Sequence, residues 1–161
     1  MEKLYNLEDF LDFFSDIKPS DNAERILRDR YLLKDGEGNY LEHTWEDIAR
    51  RVSRYIASAE TLYTEDIEKI RKVENIYFKL LKSRVFLPNS PTLFNAGKTL
   101  DQEIFKKNLE DMTFEDYKNI YNSRSRHNML SACFVVPLED SMEGIFDAVK
   151  DAALIQKYGG E

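Results

Sequence analysis

Three places in this sequence carry residue types that could do chemistry. Cys133 is the sole cysteine and sits inside the apolar run LSACFVVPL, residues 130–138. A thiol in such a run is either a small core residue or a reagent, and neither a His nor a Lys adjoins it to lower its pKa. The stretch PNSPT, residues 88–92, sets Asn89, Ser90 and Thr92 around two prolines. Such hydroxyl and amide groups bond their own backbone in a turn, or a ligand. Asp140 and Ser141 follow Cys133 by seven and eight residues, where either can cap a helix. His43 and His127 are the only histidines, and no Cys/His cluster has zinc spacing, so no self-contained metal site is expected.

The elements that must position these groups are mostly helices over residues 1–84. Asn6 can cap a helix with Leu7, Phe10, Leu11 and Phe14 on one face. Pro19 and Ser20 break the chain before AERILRDRY, with Ile26 and Leu27 expected inward. LLKDGEGNYLE predicts a β-hairpin, because Gly36 and Gly38 can supply positive φ. Thr44 and Asp47 form a capping box before Ile48, Val52, Tyr55, Ile56 and Ala59. Thr64 opens a helix in which Ile67, Ile70, Val73, Ile76, Tyr77 and Leu80 recur at helical steps.

The pattern changes after Arg84. Pro88 and Pro91 oppose a regular helix and a central strand, so VFLPNSPTLFNAG reads as a short strand and a rigid polar loop. Residues 98–128 read as an excursion holding one helix, with Thr113 and Asp116 as a second capping pair. LSACFVVPL is unbroken and apolar, the pattern of a strand buried on both faces. Asp140 or Ser141 then caps a helix that turns Met142, Ile145, Phe146, Val149, Ala152 and Ala153 inward and stops at Gly159. The fold class expected is mainly α, with a hairpin and one or two strands.

Composition removes several function classes. With 42% hydrophobic and 33% charged residues the chain is soluble and globular rather than disordered. A net charge of -7 with no clustered Lys/Arg stripe argues against DNA or RNA as a partner. No apolar run approaches the ~20 residues that span a bilayer. The acidic start MEKLYNLEDFLDFF is no signal peptide. A single cysteine makes a reducing cytoplasm the expected compartment.

Taken in order, a strand, then FLPNSPTLFNAG, then LSACFVVPLEDSMEGIFDAVKDAALIQKYGG resembles the opening of the catalytic barrel of ribonucleotide reductase. The likeness is greatest to the adenosylcobalamin-dependent (class II) enzymes of thermophilic bacterial type. AERILRDRYLLKDGEGNYLEHTWEDIARRVSRYIASAE is similar to the region that precedes the barrel, and DMTFEDYKNIYNSRSRHNML to an insertion in those members. The resemblance implies a helical domain over 1–84 and the start of a ten-stranded α/β barrel over 85–161, with the excursion at 98–128.

It also implies roles. Cys133 matches one of two cysteines that reduce the ribonucleotide and emerge as a disulfide. In that chemistry a thiyl radical removes the ribose 3′-hydrogen, the 2′-hydroxyl leaves as water, and two thiols supply two electrons. Burial of Cys133 would suit a site that excludes water. Thr92 and Ser131 match substrate-binding positions, and Ser90 is included for its closeness to Thr92. Asp140, with Ser141 beside it, matches the effector site, where a carboxylate accepts hydrogen bonds from a deoxyribose. The helix over 141–158 matches one that pairs with its copy in a homodimer, and the small residues Gly144, Ala148 and Ala152 would permit close approach.

Family members continue beyond Gly159–Gly160, and a second cysteine, the radical-forming cysteine and the cobalamin contacts lie in that further region. The implied reading is therefore an amino-terminal part, from a split or intein-interrupted gene or a truncated chain, inactive alone. It would work with the remainder of the reductase chain or a complementing subunit, a ribonucleotide substrate, a deoxynucleotide effector, adenosylcobalamin and a thioredoxin-type reductant. The alternative is a free-standing helical module that binds nucleotide or dimerises without catalysis. A barrel opening leaves edges unpaired after about Val85, whereas a finished module closes its core throughout.

Overall fold

The computed structural model describes residues 6–123 and 129–157. Among them run eight α-helices: α1 (Leu7–Ser15), α2 (Asp21–Ile26), α3 (Trp45–Ala57), α4 (Ile67–Lys82), α5 (Ser90–Asn95), α6 (Glu103–Lys106), α7 (Phe114–Asn122) and α8 (Met142–Lys157). The expected stop at Gly159 and the end of the excursion at 124–128 lie outside the described residues.

Side-chain caps decide where the helices begin. Ser20 accepts a hydrogen bond from the Ala23 amide at the start of α2. Thr44 and Asp47 close the expected capping box on α3, and Thr113 and Asp116 do the same on α7. The helix expected to open at Thr64 starts later: Thr64 accepts from the Asp66 amide, and Asp66 caps α4 by accepting from Glu68. Arg84 has φ 60° and donates to the carbonyls of Phe14, Ser15 and Ile17, tying the end of α1 to the end of α4.

The core lies between α3 and α4 and is closed by α5, α6 and α7. Ile48, Val52 and Tyr55 meet Ile70 and Leu81, and the same cluster continues through Leu93, Ala96, Phe105, Met112, Tyr117 and Ile120. Residues on both sides of position 84 therefore share one core. Two inward expectations differ. Ile76 and Tyr77 are exposed, because α4 is turned to bring the Glu74 carboxylate inward to Arg54. Ile26 is exposed as well. Leu27 packs inward as expected, at the start of a π-helical turn, Leu27–Tyr31, closed by the Leu32 amide on the Leu27 carbonyl.

Among the described residues no strand ladder forms. In place of a hairpin ladder, LLKDGEGNYLE makes a single antiparallel bridge, Lys34 to Tyr40, around Gly38 at φ 90°. Asp35 holds the turn by accepting from the Asn39 side chain and from the amides of Asn39 and Glu37; these bonds, led by the Asn39 side chain, lower its pKa. The run LSACFVVPL is not a buried strand: Val135 is 98% exposed and Leu138 72%. Its residues of both parities are apolar, so covering it takes neighbours on two faces, and the buried core packs on it at Leu130. The inward face expected of α8 is likewise outward, with Met142, Ile145, Phe146 and Val149 all exposed and no residue of that helix buried.

Candidate functional site

The proline stretch is where the structure first gathers candidate residues, and it does so on a helix rather than a loop. Asn89 caps α5, accepting from the Thr92 amide at 3.3 Å and lying 2.8 Å from the Thr92 hydroxyl. Pro91 falls in the first turn, where its missing N–H has no intrahelical partner to lose. That is why two prolines did not exclude a helix. The Thr92 hydroxyl also reaches the carbonyl oxygen of Leu130 at 2.6 Å, and Asn95 donates to the carbonyl of Met129 at 2.8 Å. One face of α5 thus holds the start of the cysteine-bearing run, with Thr92 beside the residue that precedes Ser131. Ser90, exposed at the N-terminal end of α5, lies 3.0 Å from the hydroxyl of Tyr31, which the π-helical turn carries there.

The other end of α5 is held by a buried ion pair. Arg51 donates through Nε and Nη2 to the Glu42 carboxylate, at 2.6 and 3.1 Å, and through Nη1 and Nη2 to the carbonyls of Ala96 and Leu93. Glu42 accepts in addition from the Leu33 amide at 3.0 Å. The chain leaves α5 through Gly97 at φ 71°, where an added Cβ would stand 2.7 Å from the Phe105 ring and 3.3 Å from Cγ of Arg51. Only glycine suits both the conformation and the space.

Cys133 is exposed, contrary to its expected burial, because the buried core packs on the run carrying it at Leu130, three residues earlier. Ser131 is exposed too, as are Asp140 and Ser141 at the start of α8. Of the two candidate caps, Ser141 is the one whose hydroxyl accepts from a helix amide, that of Gly144 at 3.0 Å. Gly144 is small for a local reason: a Cβ there would lie 2.6 Å from Cβ of Glu139, which folds back over the first turn. The structure therefore brings Thr92 to the start of the Ser131–Cys133 run, sets Ser90 at the N-terminal end of the same helix beside Tyr31, and places the Asp140–Ser141 pair at the start of α8.

A second buried network secures the excursion. Arg54 donates to Glu74 at 2.9 Å and to the carbonyls of Ile104 and Lys107, while the Tyr117 hydroxyl donates to the other Glu74 oxygen. Burial, and then the Glu74 charge, push the Tyr117 phenol far above its usual range, so it stays a donor. Sequence reasoning passed over Arg51, Glu42, Asn89, Asn95 and Tyr31. A signal existed for Arg51, which stands three residues after Ile48 and four before Tyr55, on the inward face of α3. Another existed for Asn89, a capping residue two positions before a proline.

An all-α body that grips an asparagine-capped helix with a proline in its first turn and launches an apolar, cysteine-bearing run defines the class. The family profile described as "Ribonucleotide reductase, all-alpha domain" matches residues 17–101, and the chain belongs to the ribonucleotide reductase family. It is 34% identical over 145 residues to the vitamin B12-dependent ribonucleoside-diphosphate reductase of Mycobacterium tuberculosis, covering 90% of this chain and 17% of that protein. It is 30% identical over 198 residues to the protein of the same name from Thermoplasma acidophilum, covering 90% and 22%. It is 27% identical over 152 residues to ribonucleoside-diphosphate reductase subunit alpha of Helicobacter pylori, covering 91% and 15%. The chain spans about a fifth or less of the length of these relatives.

Among the described residues no group of His, Cys, Asp and Glu could hold a metal ion. No helix among them is long and apolar enough to cross a membrane.

Proposed function

We propose that this chain forms the opening section of a ribonucleoside-diphosphate reductase and presents the substrate loop and one reducing thiol to the rest of that enzyme. The observation that carries the reading is the hydrogen bond from Thr92 to the carbonyl of Leu130, which fastens the hydroxyl-bearing helix to the run that leads through Ser131 to Cys133. The exposed apolar surfaces support it further. Val85, Phe86 and Leu87, the run 130–138 and the outer face of α8 all await cover, as strands and a helix of an unfinished barrel do. In this reading residues 85–161 open the barrel, while those from Leu93 to Ile120 also lend side chains to the helical core.

The roles follow from the chemistry. Cys133 and a second thiol of the remainder together give up two protons and two electrons; one hydrogen ends on the ribose C2′, the other leaves with the 2′-hydroxyl as water, and the sulfurs join as a disulfide that a thioredoxin-type dithiol reduces. Ser131, Thr92 and Ser90 offer hydroxyls and backbone groups to the substrate. Asp140 accepts hydrogen bonds from the sugar of a deoxynucleotide effector, and Ser141 sets the adjoining helix turn. The outer face of α8 pairs with its copy in a homodimer. Adenosylcobalamin is the cofactor of this reading, supported by relatives that are named for it. In this reading it is held mainly by the remainder of the enzyme.

The test is turnover of the reductase that contains this chain, assembled with its remainder. Cys133→Ser should abolish dithiol-dependent reduction while assembly persists, and Thr92→Val should raise KM. A serine variant that turned over like the parent with a dithiol reductant would overturn the role of Cys133.

A further inference from the structure

We infer that Arg51 is a positioning residue for substrate binding, acting through α5 on Thr92; this rests on the reading of Thr92 as a substrate contact. Two of the α5 carbonyl groups, those of Leu93 and Ala96, accept from the Arg51 guanidinium, which is itself held by both oxygens of Glu42. All of Arg51 is buried, and Glu42 is 5% exposed, so the pair is shielded from screening and keeps its geometry. Leu33 donates to the same carboxylate, which fixes Glu42 independently of α5.

The clamp reaches the site in two short steps. Leu93 follows Thr92 directly, and Ala96 closes the helix by donating its amide to the Thr92 carbonyl at 3.1 Å. Moving the Arg51 contacts therefore moves Thr92 and, through its bond to Leu130, the start of the Ser131–Cys133 run. Gly97 lies against the stem of Arg51, where an added Cβ would stand 3.3 Å from Cγ, so the end of α5 and the arginine are close-packed. A planar fork that donates at once to a carboxylate and to two carbonyls has no equivalent in a lysine ammonium.

The experiment compares Arg51→Lys with Thr92→Val in the assembled reductase. Arg51→Lys should raise the substrate KM about tenfold, the equivalent of roughly one lost hydrogen bond, with kcat within about twofold of the parent. Because the single change could unfold the chain, a second variant, Arg51→Met with Glu42→Gln, removes both charges and still lets residue 42 accept from Leu33. It should show the same KM rise. An unchanged KM in both variants, with Thr92→Val raising it, would overturn the positioning role and leave the substrate loop standing. No change in any of the three would bring down the substrate reading itself. Loss of folding in both Arg51 variants would also overturn the proposal, since it would assign the clamp to core stability alone.

Discussion

Glu74 shows how single residues organise this fold. It sits on a helix whose apolar stripe predicts Ile76 and Tyr77 inside, yet the carboxylate is the buried group and those two side chains are out. A buried carboxylate is tolerable only when its lone pairs are occupied, and Arg54 and Tyr117 occupy them. Tyr117→Phe removes the donor and keeps the ring, leaving one Glu74 oxygen short of a partner. It should cost about 1–3 kcal/mol in denaturant unfolding, more than the same change at the exposed Tyr63. At this scale the candidate residues Ser90, Thr92, Ser131, Cys133, Asp140 and Ser141 could be named from residue type and resemblance, and their roles are proposals. Their arrangement was not legible, because it depends on Asn89, Asn95 and Arg51, which act on backbone carbonyls and leave little pattern in a linear sequence.

Helices were legible wherever a cap and an apolar stripe coincide, as at Thr44–Asp47 and Thr113–Asp116. They were misread where a proline stands at a helix start, as in α5. The two capping boxes also set an acid limit. Burial raises the pKa of Asp47, but hydrogen bonds from His43 and Thr44 outweigh it; for Asp116, Lys107 and Thr113 do the same, and both carboxyls titrate below the ordinary 3.8. A folded-state pKa below the unfolded one contributes stability that is complete above the unfolded value and is lost as pH falls through the folded one. Asp47→Ala and Asp116→Ala should therefore narrow the difference in stability between pH 6 and pH 3, read by thermal unfolding at each pH. Thr44→Ala should cost about 1 kcal/mol at neutral pH through the lost cap.

At the scale of the whole molecule, the helices of residues 1–84 were legible from their stripes, but not that one core runs on from them through Leu93, Phe105, Tyr117 and Ile120. The run 130–138 and α8 were readable as apolar but not as exposed, since a hydrophobic pattern states that cover is wanted and not where it comes from. Here the helical body supplies cover at Leu130 and little beyond. In the proposed reductase the remainder of the enzyme supplies the rest, pairing the backbone of this run as a barrel strand. Peptide-resolved hydrogen exchange of residues 131–138 tests this most directly. In the 161-residue chain these amides should exchange at nearly unstructured rates, and in the assembled reductase they should be protected by at least about a hundredfold, as laddered strand amides are. Equally fast exchange in both would contradict the account, as would strong protection in the chain by itself.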